Sequence, residues 1–450
     1  MIRIESNKIR WGLSAVLALL ILFGTYHSIF SLAAFLICCL MIFFFEHESV
    51  LLQIFFILPM ANIFKLAPGI QSFFTILILL YVVLHLILPR KATTVIIIFA
   101  VYVIIGELFA GEFNLFRTIK LICNILFLSS ILNSEVKINH KQVFLSYIVG
   151  NIVASVFGMM DSSFFRIVSY IGTTELGNPE IGEEIYRFAG LYADPNYYAV
   201  GLIIALCLTV ILFHRKEITL FTLVLFFVPM IYFLIQTYSK SAIIMLFLPL
   251  FVLLYSLHVQ KKYLAVCILV ISSAIIVILA LTGQIPALNI VLARLMSSDT
   301  SEGVDVNALT TGRFELWLMY LKFLIKNIKP ALFGVGISTA LLNGYAAHNT
   351  YFDILYYLGA VGSFLLIYSL MSISAQSRKI KVKRNFMNYS VMICIVVMYF
   401  FLSELFYFDP PFQIFIGFLV LNLPVKNIVQ SDESEMLFSA LQIESENKTQ

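Results

Sequence analysis

Charge is scarce in this chain. Only 12% of its 450 residues are Asp, Glu, Lys or Arg, against roughly a quarter in an ordinary soluble domain. Apolar residues fill 61% of it instead. No water-soluble fold of this size can hide that much apolar surface, so the scarcity excludes a soluble globular protein and implies a polytopic membrane protein. Cysteine is scarce too: Cys38, Cys39, Cys123, Cys207, Cys267 and Cys394 complete the set. All lie in apolar runs, without a CxxC pair or a histidine at ligand spacing. They read as small buried hydrophobes, which argues against a disulfide framework or structural zinc. A glycine-rich nucleotide loop, a GxxxxGK[ST] motif, a paired acidic metal motif and a nucleic-acid module are all missing. No cofactor, metal or nucleic-acid partner is therefore expected. There is no internal repeat, and a net charge of +4 says little about partners.

What is present is a series of apolar runs broken by short polar stretches. They predict an all-α, polytopic membrane protein of about fourteen transmembrane helices. The approximate spans are 11–26, 28–45, 50–66, 70–88, 93–110, 115–133, 142–160, 195–213, 217–237, 241–257, 263–282, 347–373, 387–406 and 411–424. The first and last are short, and one short run could equally be re-entrant. Arg3, Lys8 and Arg10 precede the first run with no small-residue cleavage site after it, so it reads as an uncleaved first helix. With a cytoplasmic N-terminus, Arg90–Lys91, Lys137, Lys141, Arg215–Lys216, Lys261–Lys262 and the cations from Arg378 to Arg384 all fall inside, as the positive-inside rule requires. Both termini are then cytoplasmic. Residues 1–430 form one membrane domain, and the Glu- and Ser-rich stretch 431–450 reads as a disordered tail.

Two long loops, about 161–194 and 283–346, share the outer face, and long loops on one face commonly carry function. Four polar patches stand out there. In the first, Thr311 would cap an amphipathic helix that Glu315 suits and Pro330 ends. Phe314, Trp317, Leu318, Leu321, Leu324, Ile325 and Ile328 recur at helical spacing, with Lys322, Lys326 and Lys329 on another face. The pattern fits a helix lying on the membrane surface, or equally a loop helix with a solvated lysine face. Arg313 opposes the helix dipole in its first turn, which makes sense around a bound anion; a snorkelling surface arginine is the plain alternative. In the second, RFAGLYADPN, Asp194–Pro195 is a helix start, Asn196 and Tyr197 face outward, and Arg187 has no evident structural task. The third, QTYSKSA, sets Lys240 at the outer surface, or is a simple turn. In the fourth, AHNTYFD, His348 and Asn349 open a span, and Asp353 follows Asn349 by one turn. His348 is a candidate base or an interfacial cap. Glu107, Arg117, Lys120 and Glu404 are costly at membrane level and are further candidates whose partners the sequence does not give.

RFAGLYADPN before one span, YSKSA between two, TGRFELW in the long outer loop, then GVG and AHNTYFDILYYLGAVG, taken in that order, resemble the bacterial O-antigen ligase and O-antigen polymerase superfamily. The likeness covers roughly 185–370 and rests on order and spacing, since no single motif is specific. It implies a metal-independent glycosyltransferase with a GT-C-like membrane fold in the bacterial inner membrane. The donor would be an undecaprenyl-diphosphate-linked glycan at the outer leaflet and the acceptor a second glycan, among membrane lipids and other polysaccharide-assembly proteins. Carried onto this chain, Arg187 and Arg313 would hold the diphosphate and His348 would activate the acceptor hydroxyl. Lys240 departs from the arginine of many relatives and loses the bidentate fork. Asp194, Asn196, Asn349 and Asp353 would support the site. The resemblance implies extension of O-antigen, capsular or exopolysaccharide by joining repeat units. A ligase moving the finished glycan to lipid A core shares the same donor site. A transporter or flippase of lipid-linked sugars is the rival of another class.

Overall fold

The computed structural model describes residues 7–88, 90–110, 114–133, 139–160, 165, 167–171, 187–192, 194–267, 299–300, 303–304, 312–376, 386–402 and 412–421. Helices account for nearly all of the regular structure there. The exception is a two-residue antiparallel ladder, Asp299–Thr300 against Gly303–Val304. The first seven helices are α1 (Asn7–Gly24), α2 (Ser28–Phe44), α3 (His47–Ile57), α4 (Phe73–His85), α5 (Arg90–Phe109), α6 (Leu115–Leu132) and α7 (His140–Gly158). A short α8 (Ile167–Ile171) precedes α9 (Pro195–His214), α10 (Leu220–Gln236) and α11 (Lys240–Val259). After the ladder come α12 (Arg313–Lys326), α13 (Ile328–Phe333), α14 (Thr350–Gln376), α15 (Phe386–Met398) and α16 (Phe412–Leu421).

Five of these are long and apolar enough to cross a membrane: α5, α7, α9, α11 and α14. Shorter apolar helices are α2, α3 with the 3-10 turn after it, α4, α10 and most of α15. The protein is thus an all-helical chain with several membrane-length segments. Of the predicted span 263–282, only the part up to Cys267 lies within the described residues. The tail 431–450 and Glu404 lie outside them, as do Thr311 and much of both long loops.

The bundle is built around α9. All 20 of its residues are buried. Its sequence is apolar on every side, and a helix without a polar face has to be covered all round. It packs against α7, α10, α11 and α15. On the α15 side, Cys207 and Cys394 bring their Sγ atoms to 3.6 Å, both buried as free thiols. Cys39 is only half-buried and Cys267 is exposed, so the expected burial of every cysteine does not hold. Cys39 still packs against the edge of the core cluster.

The chain between α12 and α14 departs from the sequence expectation. Pro330 does not end a helix. α12 closes at Asn327, whose backbone and side-chain N–H groups both donate to the Phe323 carbonyl, at 3.0 and 2.8 Å. α13 then starts, with Pro330 in its first turn, where a missing N–H leaves no bond unmade. The N-cap of α12 is Gly312 at φ 78°, without a side-chain cap. Only Tyr320 and Leu324 of α12 are buried, while Phe314, Leu321 and Ile325 stay exposed beside exposed Lys322 and Lys326.

α13 packs on α14 where α14 is broken. Gly359 sits at φ 64° inside it. The carbonyls of Tyr356 and Tyr357, released by the break, accept instead from Val335 (2.9 Å) and Gly336 (3.0 Å). The Tyr102 hydroxyl of α5 lies within donating distance of both Leu358 O (2.7 Å) and Phe333 O (2.8 Å), which share its single hydrogen. A Cβ on Gly359 would collide with Leu332 and Gly334, and one on Gly334 with Tyr357 and Leu358. Two glycines therefore let a non-helical segment dock on a helix break with its backbone groups satisfied.

Candidate functional site

The N-terminus of α9 gathers the polar residues. Asp194 takes the extended cap conformation (φ −130°, ψ 129°) and accepts the Asn196 N–H at 2.6 Å. Pro195 occupies the first helical position, where its fixed φ suits the turn. Asn196 and Tyr197, expected to face outward, are 8% and 3% exposed. The reason is that the preceding loop folds back over them. Phe188 N–H donates to Gln236 O (3.0 Å), which ties that loop to the turn between α10 and α11.

Arg187 has a structural task after all. Its Nε donates to Thr237 O (2.9 Å) and its Nη2 to Asn196 Oδ1 (3.0 Å). The same Asn196 oxygen accepts from Ser239 Oγ at 2.8 Å. Ser239 in turn caps α11 by accepting from Ala242 N–H. Thr237 and Ser239 carry no charge and were not singled out in the sequence, although a serine before an apolar run is a cap signal. Tyr238 between them holds φ 47°. Lys240 opens α11 directly after Ser239, half-buried.

Arg313 enters from α12 as its first residue. Burial pushes its guanidinium below the ordinary arginine value, while Asp194 and then Tyr197 act against that shift. His348 enters from the loop before α14, at φ 48°. Left-handed backbone is uncommon outside glycine, and it needs fixed neighbours to persist. Ala347 O accepts from Trp317 Nε1 of α12 (3.1 Å). Thr350 donates its N–H to Tyr399 O (2.9 Å) and its hydroxyl to Leu402 O. Asn349 caps α14, its Oδ1 accepting from Tyr351 (3.0 Å) and Phe352 (3.2 Å). The histidine is thus clamped on both sides. Burial, then the Arg313 charge, lowers its affinity for a proton, and Asp194 opposes them. The imidazole is therefore neutral at neutral pH, the form that accepts a proton.

Two groups of side chains meet in this way at one turn of α9. Arg187, Asn196, Thr237 and Ser239 form one. In the other, Arg313 and His348 lie within electrostatic range of each other and of Asp194, and Tyr197 is in range of Arg313. Asp353, one turn into α14, is 1% exposed; burial first, and then the Asp353 charge, raises the Tyr320 phenol. Guanidiniums beside a helix N-terminus make a place for an anion, and a neutral imidazole beside them can take a proton.

Glu107 finds its partner beyond this cluster. It is 1% exposed, and its carboxylate accepts the Ser338 N–H (3.0 Å) and the Ser338 hydroxyl. Asn114 N–H donates to Ser338 Oγ (2.9 Å), and Arg117 Nη1 reaches Ile337 O at 3.4 Å. These residues fix the segment that leads from α13 toward His348. Among the described residues, no group of three or more His, Cys, Asp or Glu is placed to hold a metal ion. Comparison with known proteins finds no matching family model, no similar curated protein and no similar solved structure.

Proposed function

We propose that the chain is an inner-membrane glycosyltransferase that joins undecaprenyl-diphosphate-linked repeat units into a surface polysaccharide. In this reading the bundle holds about fourteen membrane-crossing segments, both termini are cytoplasmic and the α9 N-terminus opens to the outer leaflet. The observation that carries it is the meeting of Arg313 and His348 at the helix start where Arg187 is anchored, from three separate stretches of chain.

The chemistry needs little else. A glycan on a diphosphate already has a leaving group, so no nucleotide is required outside the cell. Arg313 and the α9 N-terminus, with Arg187 and Lys240 at the same end, stabilise the departing diphosphate. His348 takes the proton from the attacking sugar hydroxyl. Asp194 holds the local charge in balance, and Asn349 fixes the histidine loop through its cap. Buried apolar helices hold the lipid tail, and alignment of the two chains supplies much of the rate.

The test uses the purified full-length protein with lipid-linked repeat units as sole substrate. A ladder of longer chains supports a polymerase. Product only after a separate glycan acceptor is added supports a ligase, which shares the donor site. Movement of the lipid between leaflets without new glycosidic bonds would replace the reading by a flippase. His348→Ala is expected to insert and fold normally yet form no product; undiminished activity removes it as the base.

A further inference from the structure

α12 and α13 carry an exposed apolar stripe. Phe314, Leu321 and Ile325 recur at helical spacing and so share one side of α12. All three are exposed, Ile325 to 73%. Buried Tyr320 and Leu324 lie on one flank of that stripe, and exposed Lys322 and Lys326 lie on the other. α13 continues the pattern. Ile328 (68%) and Leu332 stand one turn apart, both exposed, with Lys329 exposed beside Ile328. A helix that faces water keeps polar groups on its free side. Here branched and aromatic side chains hold the middle of it, and the lysines run along one edge.

The level of α13 is fixed by α5, a helix long and apolar enough to cross a membrane. Phe333 O, at the end of α13, lies 2.8 Å from the Tyr102 hydroxyl of α5. Gly336, just beyond, sits against the last turns of the same helix: a Cβ there would meet Ala110, the Gly106 carbonyl and the Glu107 carboxylate. α13 therefore stands beside the closing turns of α5. That end of α5 is itself apolar and exposed, at Leu108 and above all at Phe109 (87%). The apolar medium that covers Leu108 and Phe109 reaches the exposed side of α13 as well.

A segment at a lipid interface has this make-up. Its apolar side chains meet acyl chains, while lysine stems lie along the apolar surface and carry their ammonium groups to headgroup level. A second copy docked on the same stripe about a two-fold axis would instead bring the lysines of both chains together. We propose that α13 and the second half of α12 are immersed in the leaflet at this end of the bundle, with Leu321, Ile325, Ile328 and Leu332 among its acyl chains and Lys322, Lys326 and Lys329 reaching its headgroups. The sequence pattern alone fits a membrane-surface helix and a solvated loop helix equally; the docking beside α5 separates them and sets the depth. α12 begins at Arg313, and Trp317 ties it to Ala347 next to His348. The leaflet thereby sets the height of both side chains. The inference does not depend on the reaction proposed for them.

The experiment places the full-length protein in phosphatidylcholine nanodiscs. Leu321→Cys, Ile325→Cys, Ile328→Cys, Lys322→Cys and Lys326→Cys, each alone in a cysteine-free background, carry a nitroxide. Power saturation compares its collisions with oxygen, which concentrates among acyl chains, and with a water-soluble nickel chelate. Labels at 321, 325 and 328 are expected to favour oxygen, and labels at 322 and 326 to show a lower ratio of oxygen to nickel collisions. Nickel favoured at all five positions would put the stripe in water and overturn the proposal. Few collisions with either reagent at the apolar positions would mean that protein covers the stripe, and would overturn it too. The wild type, with its native cysteines, supplies a second measurement. A phospholipid with a diazirine on its acyl chain should crosslink within residues 321–332. Crosslinks to α5 without any in that stretch would also overturn the proposal.

Discussion

At the scale of single residues, the balance between Arg313 and His348 makes the most specific demand. Burial and the guanidinium both disfavour the imidazolium, with Asp194 as the opposing charge. A group held low in this way stays a competent base until the pH falls below about 6.5, the ordinary histidine value. The acidic limb of the rate profile should therefore lie under that value. Arg313→Gln removes one of the two depressing influences, so the limb of its residual activity should move toward neutral pH. A limb that stays in place would mean that the two side chains do not sense each other. Stability follows the same sign. As the pH drops below about 6.5 toward the depressed value, the unfolded chain takes up the proton first and the fold weakens. Arg187 makes a different demand, because its fork bonds Thr237 O and Asn196 Oδ1 in two directions. Lysine keeps the charge but cannot reach both. Arg187→Lys should lower activity and also cost about 1–3 kcal/mol of stability, read as a lower melting temperature, for a charged hydrogen bond left unmade.

Among the elements, α14 carries the consequences. Its cap holds His348 in place, so Asn349→Ala should cost about 1 kcal/mol of stability. The cost should also appear as a slower rate without a change in the pH profile, which would mark a positioning effect. Its break at Gly359 gives Val335 and Gly336 their carbonyl partners. Gly359→Ala puts a Cβ into Leu332 and Gly334 at a positive φ, so a loss above about 2 kcal/mol is expected. Thermal denaturation in detergent measures both. A Gly359→Ala protein that melts like the wild type would show that α13 does not dock on the break.

For the whole molecule, the fully buried α9 separates two unlike ends. One gathers Asp194, Arg313 and His348, and the other closes on His214 and Arg215. If the first end faces outward, exposed Lys322 and exposed Lys141 lie on opposite sides of the membrane. In a cysteine-free background, a membrane-impermeant maleimide added to intact cells should label Lys322→Cys and spare Lys141→Cys. The reverse pattern would put the site on the cytoplasmic side and end the glycosyltransferase proposal.

The sequence by itself determined the helices and which of them are long and apolar enough to cross a membrane. Apolar runs of membrane length have one low-energy backbone in lipid, so α5, α7, α9, α11 and α14 were legible before any fold was known. Asp194–Pro195 was legible as a helix start for the same local reason, since a cap and a fixed φ act within one turn. Only the tertiary structure decided that Arg187 serves Asn196 and Thr237, that Tyr197 is buried, that Pro330 begins a helix and that Glu107 holds Ser338. Each of these depends on which distant backbone groups remain unsatisfied after the helices pack. That information is a property of the packed bundle, not of any stretch of chain.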